Sequence, residues 1–421
     1  MDLHARQILD SRGNPTIEIE MKGKNGISIG HAPAGASTGA NEAIEKRDGG
    51  KSYFGKSVME NVKLVNGELN QKVKQFNGNW QEYEAWIISE NKNNRLGGNT
   101  TTALSIAGSK HYASEKNQPF HQWMHEMYCP NEKYILPVPF FNIINGGKHA
   151  GNNLAIQEYM LVPTGAESFS QALEYGSEIY HTLKQILAKK YGPTSTNVGD
   201  EGGFALPEGD VFKPLELILM AAEQIGLKDK ISLAIDAAAT SFFADGKYMV
   251  SNKQLSTMEL AEVYKKMTKD YPIISLEDPF EENDMVGFNH LTSQIGNKVQ
   301  IVGDDILCTN EHLVQKALDA KACNALLLKV NQAGTVSQSL NASKLAHKNN
   351  WSVMVSHRSG ETEDPFISEL AVGINSRQIK SGAPARAERT AKYNQLLRIE
   401  ERLAQSDNTP FEYAGRNFRK I

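Results

Sequence analysis

The alternation of apolar and polar positions changes character along the chain. Residues 16–21 alternate strictly, which predicts an antiparallel strand with one face towards solvent. A second short strand is predicted over residues 26–31, after a polar turn, and helical patterns follow over 59–76 and 80–89. The first part of the chain is therefore predicted to form a small α+β domain.

From about residue 135, short apolar runs recur along the sequence. Each run ends in a charged or polar residue, and most runs lead into a helix-like segment. From Glu277 onwards the interval between ends is roughly 25 residues, the length that a strand, a helix and two short loops need. The pattern therefore predicts a repeating βα unit. The runs end at Asp236, Glu277, Asp304, Lys329, His357 and Lys380.

Continuous apolar strands that alternate with helices indicate a parallel sheet buried on both faces. About 290 residues of this pattern favour a (β/α)8 barrel, and a doubly wound open sheet is the alternative. In barrel enzymes the active site lies at the carboxyl ends of the strands, where the charged ends of these runs fall. We predict a capping domain over residues 1–126 and a barrel over residues 127–421, with the three prolines of residues 127–139 marking the linker.

The composition fits a globular protein and narrows its partners. Of the 421 residues, 40% are hydrophobic and 22% are charged, which suits a protein with a large core. The net charge is −4, so no basic field favours binding to nucleic acid or to an anionic membrane. Three scattered cysteines, no signal-peptide pattern and no apolar run of about 18 residues predict a cytoplasmic protein.

Three of the predicted strands end in carboxylates, at Asp236, Glu277 and Asp304. Carboxylates that converge at a barrel mouth repel one another unless a cation lies between them, and hard oxygen ligands suit Mg²⁺. The alternative is that each acidic residue caps the helix that follows it. The recurrence at three strand ends favours a metal site.

Two lysines, Lys329 and Lys380, end further strands and face the same mouth. Beside a divalent cation and a second ammonium the pKa of a lysine falls, and the neutral amine is able to act as a base. Residues 356–360 combine hydroxyls, an imidazole and a guanidinium, which suits a phosphate or carboxylate group. The loop at residues 35–39, rich in glycine and hydroxyls, is able to close over such a group, although an ordinary turn is the alternative.

One short pattern indicates a different class of protein. Residues 50–57 match G-x-x-x-x-G-K-[ST], the phosphate-binding loop of nucleotide-binding proteins. That loop requires a buried strand immediately before it, so that backbone N–H groups surround the phosphates. Residues 42–48 are charged and helix-like, so nucleotide binding is retained only as the alternative function.

Several long motifs, in order, resemble the enolase family. The resemblance runs from residues 5–16 to residues 392–401, which is nearly the whole chain, and residues 382–397 are bacterial in style. The motifs are VGDEGGF at 198–204, LLKVNQAGTV at 327–336, SHRSGETED at 356–364 and GAPAR at 382–386. The resemblance implies a barrel with an irregular ββαα start behind an α+β capping domain.

The resemblance also implies an activity, the reversible dehydration of 2-phospho-D-glycerate to phosphoenolpyruvate in glycolysis and gluconeogenesis. It implies two Mg²⁺ ions, the second arriving with the substrate, and a homodimer or homo-octamer. Two rivals are a non-catalytic binding protein and a superfamily member acting on a plain carboxylic acid. The intact chemical residues argue against the first, and the phosphate-type turn at Arg358 and Ser359 argues against the second.

The resemblance assigns roles to individual residues. Lys329 is implied to be the base and Glu201 the acid, kept protonated in an acidic and partly enclosed neighbourhood with Glu158 beside it. Asp236, Glu277 and Asp304 are implied to hold the first Mg²⁺, and Ser37 to help bind the second. The residues implied to contact substrate are His149, Gln157, His357, Arg358, Ser359 and Lys380, of which Arg358 and Ser359 bind the phosphate and Lys380 the carboxylate.

Two segments depart from the family pattern. Residues 96–105 carry three consecutive threonines where a small, apolar run is expected, which bears on helix packing between the domains. Asn152 and Asn153 stand where glycine or small residues are usual, which bears on the mobility of the His149 loop. No residue with an implied chemical role is changed.

Overall fold

The computed structural model describes residues 1–36, 39–406 and 409–420. Its N-terminal part is built on a three-stranded antiparallel sheet in the order β1-β2-β3. The alternation predicted for the second strand is confirmed, since Ile17, Ile19 and Met21 are buried and the residues between them are not. The first strand was not predicted, although buried Leu3 and Ala5 alternate with exposed residues at its start. The strands are β1 (Asp2–Leu9), β2 (Pro15–Gly23) and β3 (Gly26–His31).

Helices cover the buried face of this sheet. The backbones come close at Gly30 of β3, where a Cβ atom would lie 2.3 Å from the carbonyl oxygen of Ala103, so only glycine lets the helix lie this near. The helical segment predicted over 59–76 is continuous but contains a π-helical turn at Val65–Leu69. The helices are α1 (Met59–Leu64), α2 (Asn70–Lys74), α3 (Trp80–Glu90), α4 (Gly98–Glu115) and α5 (Phe120–Tyr128).

The predicted linker is not a free connection. Within it lie a short strand, β4 (Tyr134–Leu136), and the start of the next strand, β5 (Val138–Asn145). The short strand pairs in parallel with residues 411–413 near the far end of the chain. The boundary predicted near residue 126 remains a prediction.

The second part of the chain is a closed barrel of eight strands, as predicted. The last strand pairs with the first, which closes the sheet. The second strand runs antiparallel to both its neighbours, and two helices follow it before the third strand, which is the irregular ββαα start. After β5 the barrel strands are β6 (Glu158–Val162), β8 (Ser232–Asp236), β12 (Ile273–Glu277), β13 (Gln300–Gly303), β14 (Ala325–Leu328), β15 (Ser352–Ser356) and β16 (Gln378–Lys380).

Shorter strands and the outer helices complete this part. The short strands are β7 (Phe204–Ala205), β9 (Phe243–Ala244), β10 (Lys247–Val250), β11 (Lys253–Leu255) and β17 (Phe411–Tyr413). The helices are α6 (Phe169–Tyr191), α7 (Lys213–Gln224), α8 (Thr257–Asp270), α9 (Met285–Ile295), α10 (Glu311–Asp319), α11 (Val330–Ala333), α12 (Val336–Lys348), α13 (Phe366–Gly373) and α14 (Ala387–Ala404).

The threonine-rich run lies in the contact between the two parts. Thr102 Oγ1 donates to the carbonyl oxygen of Gly334 at 3.2 Å. Ser105 Oγ accepts from the backbone N–H of Val336 at 2.8 Å. The polar run therefore packs by hydrogen bonding to the turn before α12, where an apolar run would pack by shape alone.

The phosphate-loop alternative is wrong. No strand lies between residues 39 and 51 of the described chain, and Lys56, the lysine of the motif, is exposed. Residues 52–55 form a tight turn with left-handed backbone at Tyr53 and Phe54, so no buried strand supports a phosphate-binding loop there. No helix in the described part of the chain is long and apolar enough to cross a membrane.

Candidate active site

The predicted site residues converge at the carboxyl ends of the barrel strands. Each predicted strand run ends within one residue of the observed strand, so its charged residue lies at the barrel mouth. Glu277 lies beside the enclosed polar cavity there, and Ser37 lies outside the described residues. The other predicted residues that line this cavity are His149, Gln157, Glu158, Glu201, Asp236, Asp304, Lys329, His357, Arg358, Ser359 and Lys380.

Lys380 lies at the centre of a carboxylate cluster. Its Nζ is 2.8 Å from Glu277, 3.0 Å from Asp236 and 3.1 Å from Glu158. Burial opposes the charge on Lys380, but these three carboxylates outweigh burial and hold its pKa well above the usual value. The ammonium therefore neutralises part of a strongly acidic, buried region.

Lys329 is paired with the remaining predicted carboxylate. Its Nζ donates to Asp304 Oδ2 at 2.5 Å, and Gln332 Nε2 donates to Asp304 Oδ1 at 2.8 Å. Burial opposes the charge on Lys329, but Asp304 outweighs it, so the pKa lies above the usual value. The sequence predicts a lowered pKa for Lys329, whereas the protein groups around it raise that pKa.

Asp278 positions Asp304 and was missed by the sequence reasoning. Its two carboxylate oxygens accept the backbone N–H groups of Asp304 and Asp305, each at 2.8 Å. Asp278 is buried and its backbone is left-handed, with φ of 38°. The signal for Asp278 in the sequence is its position directly after Glu277. Two consecutive acidic residues at a strand end point their carboxylates in different directions, so the second is able to contact a neighbouring loop.

Glu158 and Glu201 lie on either side of His149. The Nδ1 of His149 is 3.5 Å from Glu158 and 3.7 Å from Glu201. Glu201 Oε2 also lies 3.4 Å from His357 Nε2 and accepts from Asn142 Nδ2 at 3.0 Å. Two buried carboxyls and two imidazoles are thus grouped around one side of the cavity.

The pKa values of the two glutamates are shifted in opposite directions. Burial, together with repulsion from Glu201, raises the pKa of Glu158 well above its usual value. Burial also opposes ionisation of Glu201, but the facing His357 and His149 outweigh it and hold its pKa well below the usual value. The resemblance implies a proton on Glu201, whereas the contacts of the described residues favour it on Glu158.

Arg358 lies buried at the other side of the cavity. Its guanidinium donates to Glu42 Oε2 at 2.9 Å and to Asn331 Oδ1 at 3.0 Å. Ser359 Oγ accepts from the backbone N–H of Ala36, which belongs to the loop at residues 35–39, at 2.8 Å. The capping domain therefore reaches the barrel mouth at the residues implied to bind phosphate.

Hard oxygen ligands for a divalent cation are available in this cavity. Glu277 Oε2 and Gln157 Oε1 are buried and form no hydrogen bond within the described chain. Among the described residues, the carboxylate and imidazole groups with ligand atoms within 4.8 Å of one another are His149–Glu158–Glu201 and Asp278–Asp304–Asp305. The three predicted metal ligands form ion pairs with two different lysines. Asp304 pairs with Lys329, while Asp236 and Glu277 pair with Lys380. The donor set fits Mg²⁺, which prefers a few carboxylates with water and substrate oxygens.

The fold and this site define an acid–base enzyme of the (β/α)8-barrel class that acts on a small anionic substrate. The family model for the enolase N-terminal domain matches residues 1–124, and that for the enolase C-terminal TIM barrel domain matches residues 133–421. The chain belongs to the enolase family. It is therefore a glycolytic lyase that catalyses the reversible, Mg²⁺-dependent dehydration of 2-phospho-D-glycerate.

Curated relatives agree over nearly the full length. The chain is 47% identical to an enolase of Pyrococcus furiosus, covering 99% of this chain and 97% of the relative. It is 46% identical to an enolase of Methanocaldococcus jannaschii, covering 99% and 97%. An enolase of Thermococcus gammatolerans is also 46% identical, covering 99% and 96%. The bacterial style of residues 382–397 stays a prediction.

Proposed function

We propose that Lys329 is the base and that the Glu158–Glu201 pair supplies the acid, with Glu201 as the donor. The observation that carries this assignment is that one buried cavity is lined by Lys329 and by both glutamates. A lysine and a carboxyl pair with pKa values driven apart are the groups that removal and delivery of a proton require.

The substrate is proposed to bind as an anion at two cationic groups. Arg358 and Ser359 would bind its phosphate, since a buried guanidinium is a planar, multiple donor for such a group. Lys380 would bind its carboxylate. The support for this role is that contacts with Asp236 and Glu277 already fix the position of the Lys380 ammonium. Gln157, His149 and His357 line the same cavity and would orient the substrate between these ends.

The proposed reaction consists of one proton removal, one bond cleavage and one proton donation. Lys329 would take the proton from the carbon next to the carboxylate, which places a second negative charge on that group. It can do so only as the neutral amine, the form that a neighbouring divalent cation would favour over the ammonium now paired with Asp304. As the carbon–carbon double bond forms, the bond to the 3-hydroxyl breaks. Glu201, which would first receive the proton held by Glu158, donates it to the departing oxygen, giving water. Since Glu158 binds a proton more readily than Glu201, the pair keeps a proton available on that side of the cavity.

Two Mg²⁺ ions are proposed, one held by Asp236, Glu277 and Asp304 and a second that arrives with substrate near Ser37. When bound, Mg²⁺ supplies a positive field that stabilises charge developing on the substrate carboxylate.

A cytoplasmic homodimer or homo-octamer is also proposed. The three described cysteines, all buried free thiols, support a reducing compartment, and light scattering of the purified protein would give the oligomeric state.

The activity is tested by ultraviolet absorbance of phosphoenolpyruvate formed from 2-phosphoglycerate. We expect product to appear only when Mg²⁺ is present. Folded, metal-loaded protein that forms no product would contradict the proposal.

The assignment of the base is tested separately by hydrogen exchange at the α-carbon in deuterated water. Lys329→Ala is expected to abolish exchange, because no other group is proposed to take that proton. The matched variant Glu201→Gln is expected to lose dehydration but keep exchange, because the acid acts after proton removal. Normal exchange in Lys329→Ala removes this residue from the role.

A further inference from the structure

Arg389 is a buried cation outside the groups that line the cavity. It lies in α14, and its side chain is fully buried. A buried guanidinium is costly unless its donors are satisfied, so its partners indicate what it stabilises.

All of the partners of the two terminal nitrogens lie in two loops of the active site. Nη1 lies 2.5 Å from His357 Nδ1 and donates to the carbonyl oxygen of Arg358 at 2.6 Å. Nη2 donates to the carbonyl oxygens of Ser359 at 2.6 Å and Asp200 at 3.1 Å. One side chain therefore joins the loop that carries Arg358 and Ser359 to the loop that carries Glu201.

The contact with His357 also determines where the imidazole carries its proton. A guanidinium has N–H donors at every nitrogen and no acceptor, so Nδ1 of His357 must supply a lone pair. The proton of the neutral ring is then on Nε2, the nitrogen that faces Glu201 Oε2 at 3.4 Å. The same chain of contacts orients the ring towards the proposed acid.

We propose that Arg389 is a positioning residue that fixes His357 as the Nε2–H tautomer and so holds a donor towards Glu201. The inference rests on the proposed roles of His357 and Glu201. It assigns Arg389 no contact with the substrate, since its action passes through His357 and the two loop backbones.

The surroundings of the ring agree with a neutral imidazole. Burial lowers the pKa of His357 to about 4, and Arg389 adds to this effect. The groups that oppose it are Glu201, which faces Nε2 of the ring, and Glu361, in the segment after β15. Loss of the Arg389 charge would therefore move the pKa of His357 upwards, towards its ordinary value.

The first test is histidine ¹⁵N NMR of the unmodified enzyme, with the ring of His357 identified among the 11 histidines by its loss in His357→Asn. We expect a neutral ring with its proton on Nε2 and an accepting Nδ1 from about pH 5 to 8. A ring protonated at Nδ1, or a cationic ring, would overturn the inference. This test needs no variant at Arg389.

The second test compares Arg389→Met with Lys392→Met. Lys392 is equally buried and pairs with Glu361 at 2.8 Å, so it holds the same segment without touching His357. In Arg389→Met we expect the Nδ1–H tautomer or a titrating ring, and kcat lower by on the order of 10- to 100-fold with a smaller change in KM. In Lys392→Met we expect the tautomer and the midpoint of the pH–rate profile to be unchanged.

The outcomes separate this inference from the proposed function. An unchanged tautomer and pH midpoint in Arg389→Met, with activity lost only as far as in Lys392→Met, overturns the positioning role and leaves the function intact. Full turnover in His357→Asn overturns the proposed role of His357, and the inference with it. A double-mutant cycle in which the two losses fail to add supports action of Arg389 through His357.

Discussion

At the scale of single residues, identical side chains do different work because their neighbours differ. Glu158 and Glu201 are both buried carboxyls, yet the pKa is raised in one and lowered in the other. Asp236 and Asp304 both end strand runs, yet each pairs with a different lysine. The chemistry of a carboxyl in this site is therefore set by which cation or imidazole faces it.

Asp278 gives a test of positioning at this scale. In Asp278→Asn one acceptor oxygen becomes an NH₂ group that faces a backbone N–H, so Asp304 should lose its fixed orientation. We expect the concentration of Mg²⁺ that half-activates the enzyme to rise by about 10- to 100-fold. The measurement is initial rate against Mg²⁺ concentration.

The matched control is Asp284→Asn. Asp284 accepts from Gly287 N at 2.9 Å at the start of α9 and from Tyr248 Oη at 2.8 Å, remote from the cavity. It should lower stability without changing the Mg²⁺ requirement. Equal shifts in both variants would argue against a specific role for Asp278.

At the scale of elements, helix ends connect the two domains. The first amides of α12 are capped from the N-terminal domain, where Ser105 in α4 accepts from Val336 N and Glu84 in α3 accepts from Ser337 N, both at 2.8 Å. These amides have no partner within their own helix. The capping domain thus stabilises the helix that follows the Lys329 strand.

Glu84 makes this contact sensitive to pH. Burial raises the pKa of Glu84 above its ordinary value of 4.5. The carboxyl is therefore harder to ionise in the folded protein than in the unfolded chain, so stability falls as pH rises from about 4.5 towards the folded value. Glu84→Gln, which is neutral and keeps an acceptor, should gain in urea unfolding free energy relative to the natural protein as pH rises.

Two variants complete this prediction. Glu174→Gln, at an exposed position of α6, should show no such trend with pH. Glu84→Ala leaves the amide of Ser337 without its partner and should cost about 1–3 kcal/mol. A Glu84→Gln difference that is constant with pH would show that Glu84 is ionised equally in both states.

At the scale of the whole molecule, both domains hold the segment after β15. Lys110 Nζ in α4 pairs with Asp364 at 2.7 Å, and His31 in β3 lies 2.9 Å from Thr362 Oγ1. From the barrel side, Lys392 pairs with Glu361 at 2.8 Å. The segment that carries His357 and Arg358 is thus held in place by contacts from three stretches that are distant in the sequence.

The barrel should also remain folded without its metal. Lys380 and Lys329 already neutralise part of the carboxylate cluster, and the strands are joined by the closed ladder. We expect EDTA to abolish activity reversibly while far-UV circular dichroism stays unchanged. Loss of the dichroism signal on chelation would contradict this view.

Lys380→Met provides the comparison for the chelation experiment. It leaves buried carboxylates without their ammonium, which typically costs about 3–5 kcal/mol. The thermal midpoint of this variant should therefore rise more steeply with Mg²⁺ than that of the natural protein. Identical slopes would show that Lys380 does not share the cluster with the metal.

The sequence by itself determined the repeating βα unit and the strand ends, because strand periodicity and chain order are local properties. The pairing that closes the sheet into a barrel is a tertiary contact. Asp236, Glu277, Lys329 and Lys380 could be placed at the mouth for that reason alone. Partners remote in sequence were decided only by the tertiary structure. Asp278 supporting Asp304, Arg389 facing His357 and the opposite proton preferences of Glu158 and Glu201 depend on distance and burial in space, which no local pattern of residues encodes.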